Sequence, residues 1–360
     1  IQMNYHEEAK KVVEPILPLA REQQYRKRLA QIYTITGSYH FIVEEDYETG
    51  VEHLAQALQI SNEIGDILCL FLANFWLGFA LVFTCHFKEA LKHWQQALEI
   101  NSAAKSLWGV SVVKSAMVWA LSKQGNIALS HQTSKEAMQL AEESQDIFSK
   151  AYAYGGQGIS LFHRGFLDAA EESLQEGVRL CDRINYFSMG SLFHGYLGDT
   201  HYHLGDYEAS EGAYQRAIDL ARNSKFVPSL AQLYQLSILK SRIARKESVD
   251  MADVYECARK NNIRISDGPV AYHVADILLI KDPKPAGEAA AWIAKAIQLD
   301  EKNGMKWYLA KDHLLAGIYW KRARNNGRAA EHLHQSEKLF QECGADGWVQ
   351  HVRKEMAASH

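Results

Sequence analysis

The feature that most constrains this chain is a set of small residues that recurs every forty positions. One column holds mostly small side chains at Ser38, Gly78, Val118, Gly158 and Gly198. Two more columns keep the same interval, at Gly50, Ala90, Ser130, Ala170 and Ser210, and at Ala57, Ala97, Ala137, Gly177 and Ala217. A period of about 20 to 50 residues is typical of repeat architectures. One such unit cannot bury its apolar faces alone, so this pattern predicts units that stack.

Each unit reads as two antiparallel helices, A and B. Gly-containing turns separate the first column from the second, as in Gln124-Gly125-Asn126-Ile127 and Leu204-Gly205-Asp206-Tyr207. No proline lies between Pro18 and Pro228, which favours long helices. A forty-residue unit then has room for two helices of roughly 16–18 residues, each about 25 Å long. The small columns let the two backbones approach closely.

These residues resemble the tetratricopeptide repeat. Leu77-Gly78, Gly205-Asp206-Tyr207 and Gln96-Ala97-Leu98 match its pattern, whereas its early helix A tryptophan is replaced, for example by Asn74. The period of forty also exceeds the common one of about 34. The resemblance implies an all-α, right-handed superhelical solenoid whose helices A line the concave face.

The repeat register divides the chain into four segments. We expect helix B of a truncated leading repeat over 1–25, five regular repeats over 26–224, three degenerate repeats over 225–344 and a capping helix over 345–360. The run of long repeats and the ending Glu342–Trp348 resemble the C-terminal sensor regions of bacterial multidomain signalling ATPases or nucleotide cyclases, and the start at Ile1 agrees with this resemblance. A regulatory part of a larger signalling protein is therefore the expected context.

Composition narrows the classes of partner. Lys plus Arg number 39 and Asp plus Glu 43, so the formal net charge is −4, which argues against nucleic-acid binding.

The five cysteines are scattered without a CxxC pair, which favours a reducing, cytoplasmic compartment. The apolar run 67–83 could be a membrane span, but its repeat register and its length favour a buried helix and no membrane.

Residues that could carry chemistry are sparse. The densest glycine cluster, 155–158, falls inside a predicted helix and not in a phosphate-binding loop. His163 and His203, with Asp199, are the best candidates for a metal or small-molecule sensor, but two histidines fall short of the usual three or four ligands. We therefore expect no enzyme activity, no cofactor and no metal.

The predicted site is the concave face, where helix A of successive units presents mainly aromatic side chains. The candidate partner-binding residues are Ile35, Tyr39, Phe75, Phe79, Phe83, Trp119, Tyr152, Phe162, Tyr202 and Arg242. An aromatic groove suits a helix or an extended peptide, from a separate protein or from an upstream domain of the same chain. Two alternatives stay open: the aromatics pack on one another as core, or a second copy covers them in a homodimer.

Farther along the chain the inner positions turn basic. These positions hold Arg242, Lys281, Lys311, Lys321 and Arg322. They could receive an acidic segment of a partner, or they could simply form a solvated charged face.

Overall fold

The computed structural model describes residues 5–282 and 287–357, and these residues form helices and connecting turns without any β-strand. Residues 1–4, 283–286 and 358–360, which belong to the predicted leading, degenerate and capping segments, lie outside the described residues. The α-helices are α1 His6–Val13, α2 Leu17–Glu22, α3 Arg26–Tyr39, α4 Tyr47–Ile64, α5 Ile67–Phe83, α6 Phe87–Ala103, α7 Leu107–Gln124, α8 Ile127–Ser144, α9 Ile147–Arg164, α10 Leu167–Arg183, α11 Phe187–Leu204, α12 Tyr207–Ser224, α13 Leu230–Ala244, α14 Met251–Arg259, α15 Asp267–Lys281, α16 Gly287–Lys302, α17 Lys306–Arg322, α18 Asn326–Cys343 and α19 Asp346–Ala357.

Eight helix pairs, from α3–α4 to α17–α18, follow one another in chain order. Each helix packs mainly on its partner within the pair and on the next pair. In front of them, α1 and α2 are joined by a 3₁₀ turn at Glu14–Ile16 and pack on α3, and α19 packs on α18 at the far end. The predicted all-α solenoid of antiparallel helix pairs is confirmed.

The small residues that recur every forty positions lie where helix A approaches helix B closely. A Cβ added at Gly78 would lie 2.2 Å from the indole of Trp94, and one at Gly198 would lie 2.7 Å from the ring of Tyr214. Both large side chains come sixteen positions after the glycine, so the relation is repeated with the unit. The hydroxyl of Ser210 also donates to the Gly198 carbonyl at 2.8 Å. Small residues in helix A therefore make room for large ones in helix B.

The apolar run 67–83 forms α5. Its rings at Phe75, Phe79 and Phe83 are all buried, as is most of the rest of the helix, which accounts for apolar residues on every side. In the part of the chain that the structure describes, no helix has the length and apolarity to cross a membrane.

The superhelix returns on itself. Three hydrogen-bonded pairs span the same long interval of 184 to 186 residues: Glu45–Ser229, Lys123–Tyr308 and Phe162–Trp348. The backbone amide of Val227 likewise donates to the Ile42 carbonyl at 2.7 Å. One turn therefore closes after roughly four and a half units, and the next turn packs against it. We call this contact, between residues 40–45, 123–126 and 162–166 on one side and 225–230, 303–308 and 343–348 on the other, the inter-turn seam.

Two glycines meet across the seam. Gly165 ends α9 with a φ of +84°, and a Cβ there would lie 2.7 Å from the Trp348 amide nitrogen. A Cβ at Gly347 would lie 2.4 Å from the Gly165 carbonyl oxygen. Gly205 ends α11 with almost the same φ, +85°, but a Cβ there meets nothing within 4 Å. Gly165 therefore serves both a left-handed helix end and backbone contact between turns.

This pair of glycines gives a matched test of the seam. We expect Gly205→Ala to lower the free energy of unfolding by about 1–2 kcal/mol, since it carries only the left-handed backbone strain. Gly165→Ala should lose about 1–3 kcal/mol more, because its methyl group collides with the second turn. Urea unfolding followed by circular dichroism measures both. Equal losses for the two variants would contradict the seam.

Candidate functional site

The predicted concave aromatics of the second pair are buried in a continuous core. Phe75, Phe79 and Phe83 are 2%, 4% and 1% exposed. The Phe83 ring centre lies 5.3 Å from that of Trp119 in α7 and 6.4 Å from that of Phe226 on the second turn. The sequence left open whether these three rings form a groove, a core or a dimer interface. In the structure they pack as core. Their role in binding a partner stays a prediction.

Four of the other candidates are spread around the superhelix. Ile35 and Tyr39 are half-buried on α3. Tyr152 is buried, and its hydroxyl lies 2.8 Å from that of Tyr186. Arg242 is exposed and pairs with a neighbouring glutamate at 2.6 Å. These side chains do not form one continuous surface with the rings of α5.

Trp119 and Phe162, in contrast, line a cavity of about 70 Å³ between the two turns. The first turn supplies one wall from α7, α9 and α11, and the second turn supplies the other from α13, α15 and α17. The polar and aromatic groups on the cavity include Lys123, Tyr196, Asp199, Ser266, Tyr272, His273, Trp307, Tyr308 and Lys311. This volume is enough for a few water molecules and no larger guest.

Two lysines on the cavity are almost fully buried. Lys123 donates to the Tyr308 hydroxyl and lies 4.3 Å from the centre of that ring. Lys311 lies 4.7 Å from the centre of the Tyr272 ring. Burial lowers the pKa of each amine to about 8, although nearby aspartates oppose that change. Aromatic faces replace part of the hydration that these cations lose.

A third buried lysine adjoins them. Lys240 is 1% exposed, lies 3.7 Å from the centre of the Tyr202 ring and faces the Asp276 carboxylate at 3.8 Å. Burial lowers its pKa as well. Tyr202, half-buried, is thus the predicted site residue that contacts this lysine, beside the cavity.

The acidic groups near the lysines are half-buried at Asp199 and buried at Asp300 and Asp312. Asp199 accepts a hydrogen bond from the Tyr214 hydroxyl at 2.7 Å. Asp300 and Asp312 are buried side by side, and burial raises the pKa of Asp300 to about 8. Burial, reinforced by the adjacent Asp300, raises the pKa of Asp312 too. Two buried carboxyl groups that lie next to each other share one proton more readily than both of them ionise.

The histidines considered for a metal have a different role. The Nδ1–H group of His163 donates to the Ile159 carbonyl at 2.8 Å, and its ring centre lies 4.6 Å from that of Trp307. His203 lies 4.8 Å from the centre of the Trp348 ring. Within residues 5–282 and 287–357 no group of three His, Cys, Asp or Glu side chains could hold a metal ion. Each of these two imidazoles packs against a tryptophan ring of the second turn.

Sequence reasoning identified residues on both walls of this cavity, Trp119 and Phe162 on the first turn and Lys311 on the second. The inner basic position Lys311 lies on the cavity, whereas Lys281 and Arg322 are exposed. Lys123 was missed, although it shares a forty-residue column with His163 and His203. That column was the available signal. Tyr272, Trp307 and Tyr308 of the second turn had no local signal that they face the first turn, because contact between turns depends on the curvature of the whole array.

No protein-family model and no curated protein matches this sequence. Solved structures do match the fold. A Rap protein complexed with competence and sporulation factor has a TM-score of 0.63 at 12% identity, over 100% of this chain and 98% of its own. The Rap conjugation gene regulator of the plasmid pLS20, in complex with the Phr* peptide, has a TM-score of 0.64 at 13% identity, over 79% and 77%. Aspartyl phosphate phosphatase F from Bacillus subtilis has a TM-score of 0.54 at 13% identity, over 96% of each chain. The chain therefore has a tetratricopeptide-like repeat fold that these proteins share.

The core position of the α5 rings predicts a large effect of truncation. We expect Phe79→Ser and Phe83→Ser each to lower the free energy of unfolding by about 3–5 kcal/mol, because each removes a buried ring. Calorimetry should show a lower melting temperature. Full retention of stability would instead indicate that these rings line an open groove.

The buried imidazole of His163 predicts a dependence of stability on pH. Burial lowers its pKa from 6.5 to about 3, so below pH 6.5 the unfolded chain takes up a proton that the folded chain does not. Stability should therefore fall as the pH drops from 6.5 toward 4, by about 1.4 kcal/mol per pH unit for this group.

His163→Asn keeps a donor for the Ile159 carbonyl but does not titrate. We expect this variant to reduce the slope of unfolding free energy against pH by nearly one proton, measured by urea unfolding between pH 4 and pH 7. An unchanged slope would show that His163 is protonated alike in both states.

Proposed function

We propose that this protein is a non-catalytic regulatory module that binds a short peptide or a protein segment between the two turns of its superhelix. The observation that carries the proposal is the pair of buried lysines on the cavity, Lys123 and Lys311, beside the half-buried carboxylate of Asp199. Trp119 and Phe162, from the predicted concave face, would form the aromatic part of the same site.

The energetics of these groups support a binding role. Removing a lysine from water is unfavourable, and apolar residues of similar size often give a more stable core. The lowered pKa values of Lys123 and Lys311 show that their protein partners only partly replace water. Ionisable groups with such shifts, gathered at a cavity, are typical of functional sites. A peptide could supply the missing hydrogen bonds.

The size of the cavity sets how a ligand could enter. About 70 Å³ cannot hold a peptide, so binding would require the two turns to separate along the seam. Several seam contacts are single hydrogen bonds from side chains, as at Trp348 to the Phe162 carbonyl. A ligand with higher affinity for the separated state would shift the population toward it. In that state the other predicted residues of the concave face would become accessible.

The fold comparisons agree with such a role. Two of the similar structures hold a bound factor or peptide by their own descriptions. For this chain we propose as partner a free peptide or a segment of an upstream domain of a larger signalling protein, the context that the sequence pattern favours. We propose no catalytic step, since the cavity groups are lysines, carboxyls and rings packed on one another.

A selection experiment tests the proposal. The full chain is immobilised and peptides are selected from a displayed library of random heptapeptides, and the binding of selected peptides is then measured by calorimetry. We expect Lys123→Met and Lys311→Met to weaken binding at least about tenfold, the effect of losing one charged hydrogen bond. Asp199→Asn should also change the affinity.

Lys114→Met is the matched control. Lys114 lies on α7 like Lys123, but it pairs with Glu136 of the neighbouring helix at 2.6 Å, away from the cavity. Its replacement should leave peptide affinity unchanged. Failure to enrich any peptide, or equal affinity for all variants, would contradict the proposed site.

A further inference from the structure

Exposed large apolar side chains are concentrated at the N-terminal end of the superhelix. Among the described residues, thirteen such side chains are exposed, and ten of them lie between Tyr5 and Trp108. The C-terminal helix α19 instead directs Trp348, Val349 and Val352 into the core. Within the described residues the two ends of the array therefore differ, since the exposed apolar side chains are concentrated near the N-terminal end.

Part of this surface is a concave apolar groove. It has a volume of about 820 Å³ and lies between the N-terminal ends of α5 and α7. Phe71 and Trp76 form its floor, and its walls include Tyr5, Ile67, Leu68 and Trp108. Leu68 is 64% exposed and Ile67 is 58% exposed. We call this surface the N-terminal groove.

The other part is a ridge next to the groove. Val12, Ile16 and Leu19 on α1–α2 are 68%, 39% and 57% exposed. Val12 lies on α1, Ile16 in the 3₁₀ turn and Leu19 on α2, and because the backbone stays helical through the turn their spacing brings them to one side of the segment. The opposite side carries His6, Leu17 and Ala20, which pack inward. Tyr5 lines the groove and α1 begins at the next residue, so the ridge and the groove are neighbours.

We propose that two copies of this chain form a twofold dimer in which the Val12–Ile16–Leu19 ridge of each copy lies in the N-terminal groove of the other. A helix with apolar residues at these spacings is what an apolar groove of this kind accepts. Because one chain carries both surfaces side by side, a twofold axis can satisfy both at once and closes the assembly at two copies.

The size and charge of the surfaces fit this occupant. The seven exposed apolar side chains of ridge and groove, from 39% to 68% exposed, offer on the order of 700 Å² per copy, close to the area of a standard specific interface. Glu8 continues the ridge one helical turn before Val12, and Lys105 lies between two residues of the groove wall. Both are exposed, so the opposite charges can meet across the dimer.

Sedimentation and light scattering of the full chain test the dimer. At about 100 µM, where a micromolar dimer is largely formed, we expect twice the 40.7 kDa mass of the chain. Leu19→Lys on the ridge and Leu68→Glu in the groove should each give monomers. Leu129→Glu is the matched control: it replaces a leucine that is 52% exposed on α8, apart from both surfaces, and should stay dimeric.

Mixing the two interface variants separates loss of the interface from loss of the fold. In a mixed pair the Leu19→Lys ridge meets the Leu68→Glu groove, and the other contact is native, so the mixture should regain the dimer mass. Monomeric native chain, dissociation of Leu129→Glu, or failure of the mixture to associate would each overturn the proposal.

Discussion

Packing of the second superhelical turn against the first is the constraint on which the rest of this structure depends. It joins residues 184 to 186 apart, as in Lys123–Tyr308 and Phe162–Trp348. A tetratricopeptide-like array with an open spiral presents its concave face to solvent. Here the second turn packs on part of that face, so Phe83 and Phe162 contact rings of the second turn and groups at helix ends become inter-turn contacts.

The same packing explains why so many ionisable groups are buried. Lys123 and Lys311 would be solvated on the inner surface of an open spiral, and closure removes both amines from water. Their partners are aromatic rings and a few carboxyls, which compensate incompletely. Burying these lysines therefore costs free energy in the closed structure, and a peptide ligand that hydrogen-bonds to them would reduce that cost. In this way the fold is related to the proposed function.

Two surfaces then have separate roles. The inter-turn cavity is small and lined by rings together with buried lysines, whereas the N-terminal groove is larger and apolar. The predicted homodimer placed a second copy over the α5 rings, but these rings are covered within one chain. Self-association, if it uses the groove, leaves the cavity and the seam of each copy accessible to a separate ligand.

The sequence by itself determined the repeating unit. Gly78 packs against Trp94 within one unit, and Gly125 and Gly165 each end a helix in the left-handed conformation. Both features depend only on residues nearby in the sequence. A forty-residue period was therefore enough to predict all-α helix pairs and their stacking. Only the tertiary structure decided whether the concave face is open. Small rotations between successive units add up over four or five of them, and no local pattern encodes their sum. For that reason Lys123 and Trp307, far apart in sequence, were brought to one cavity by curvature and not by any motif.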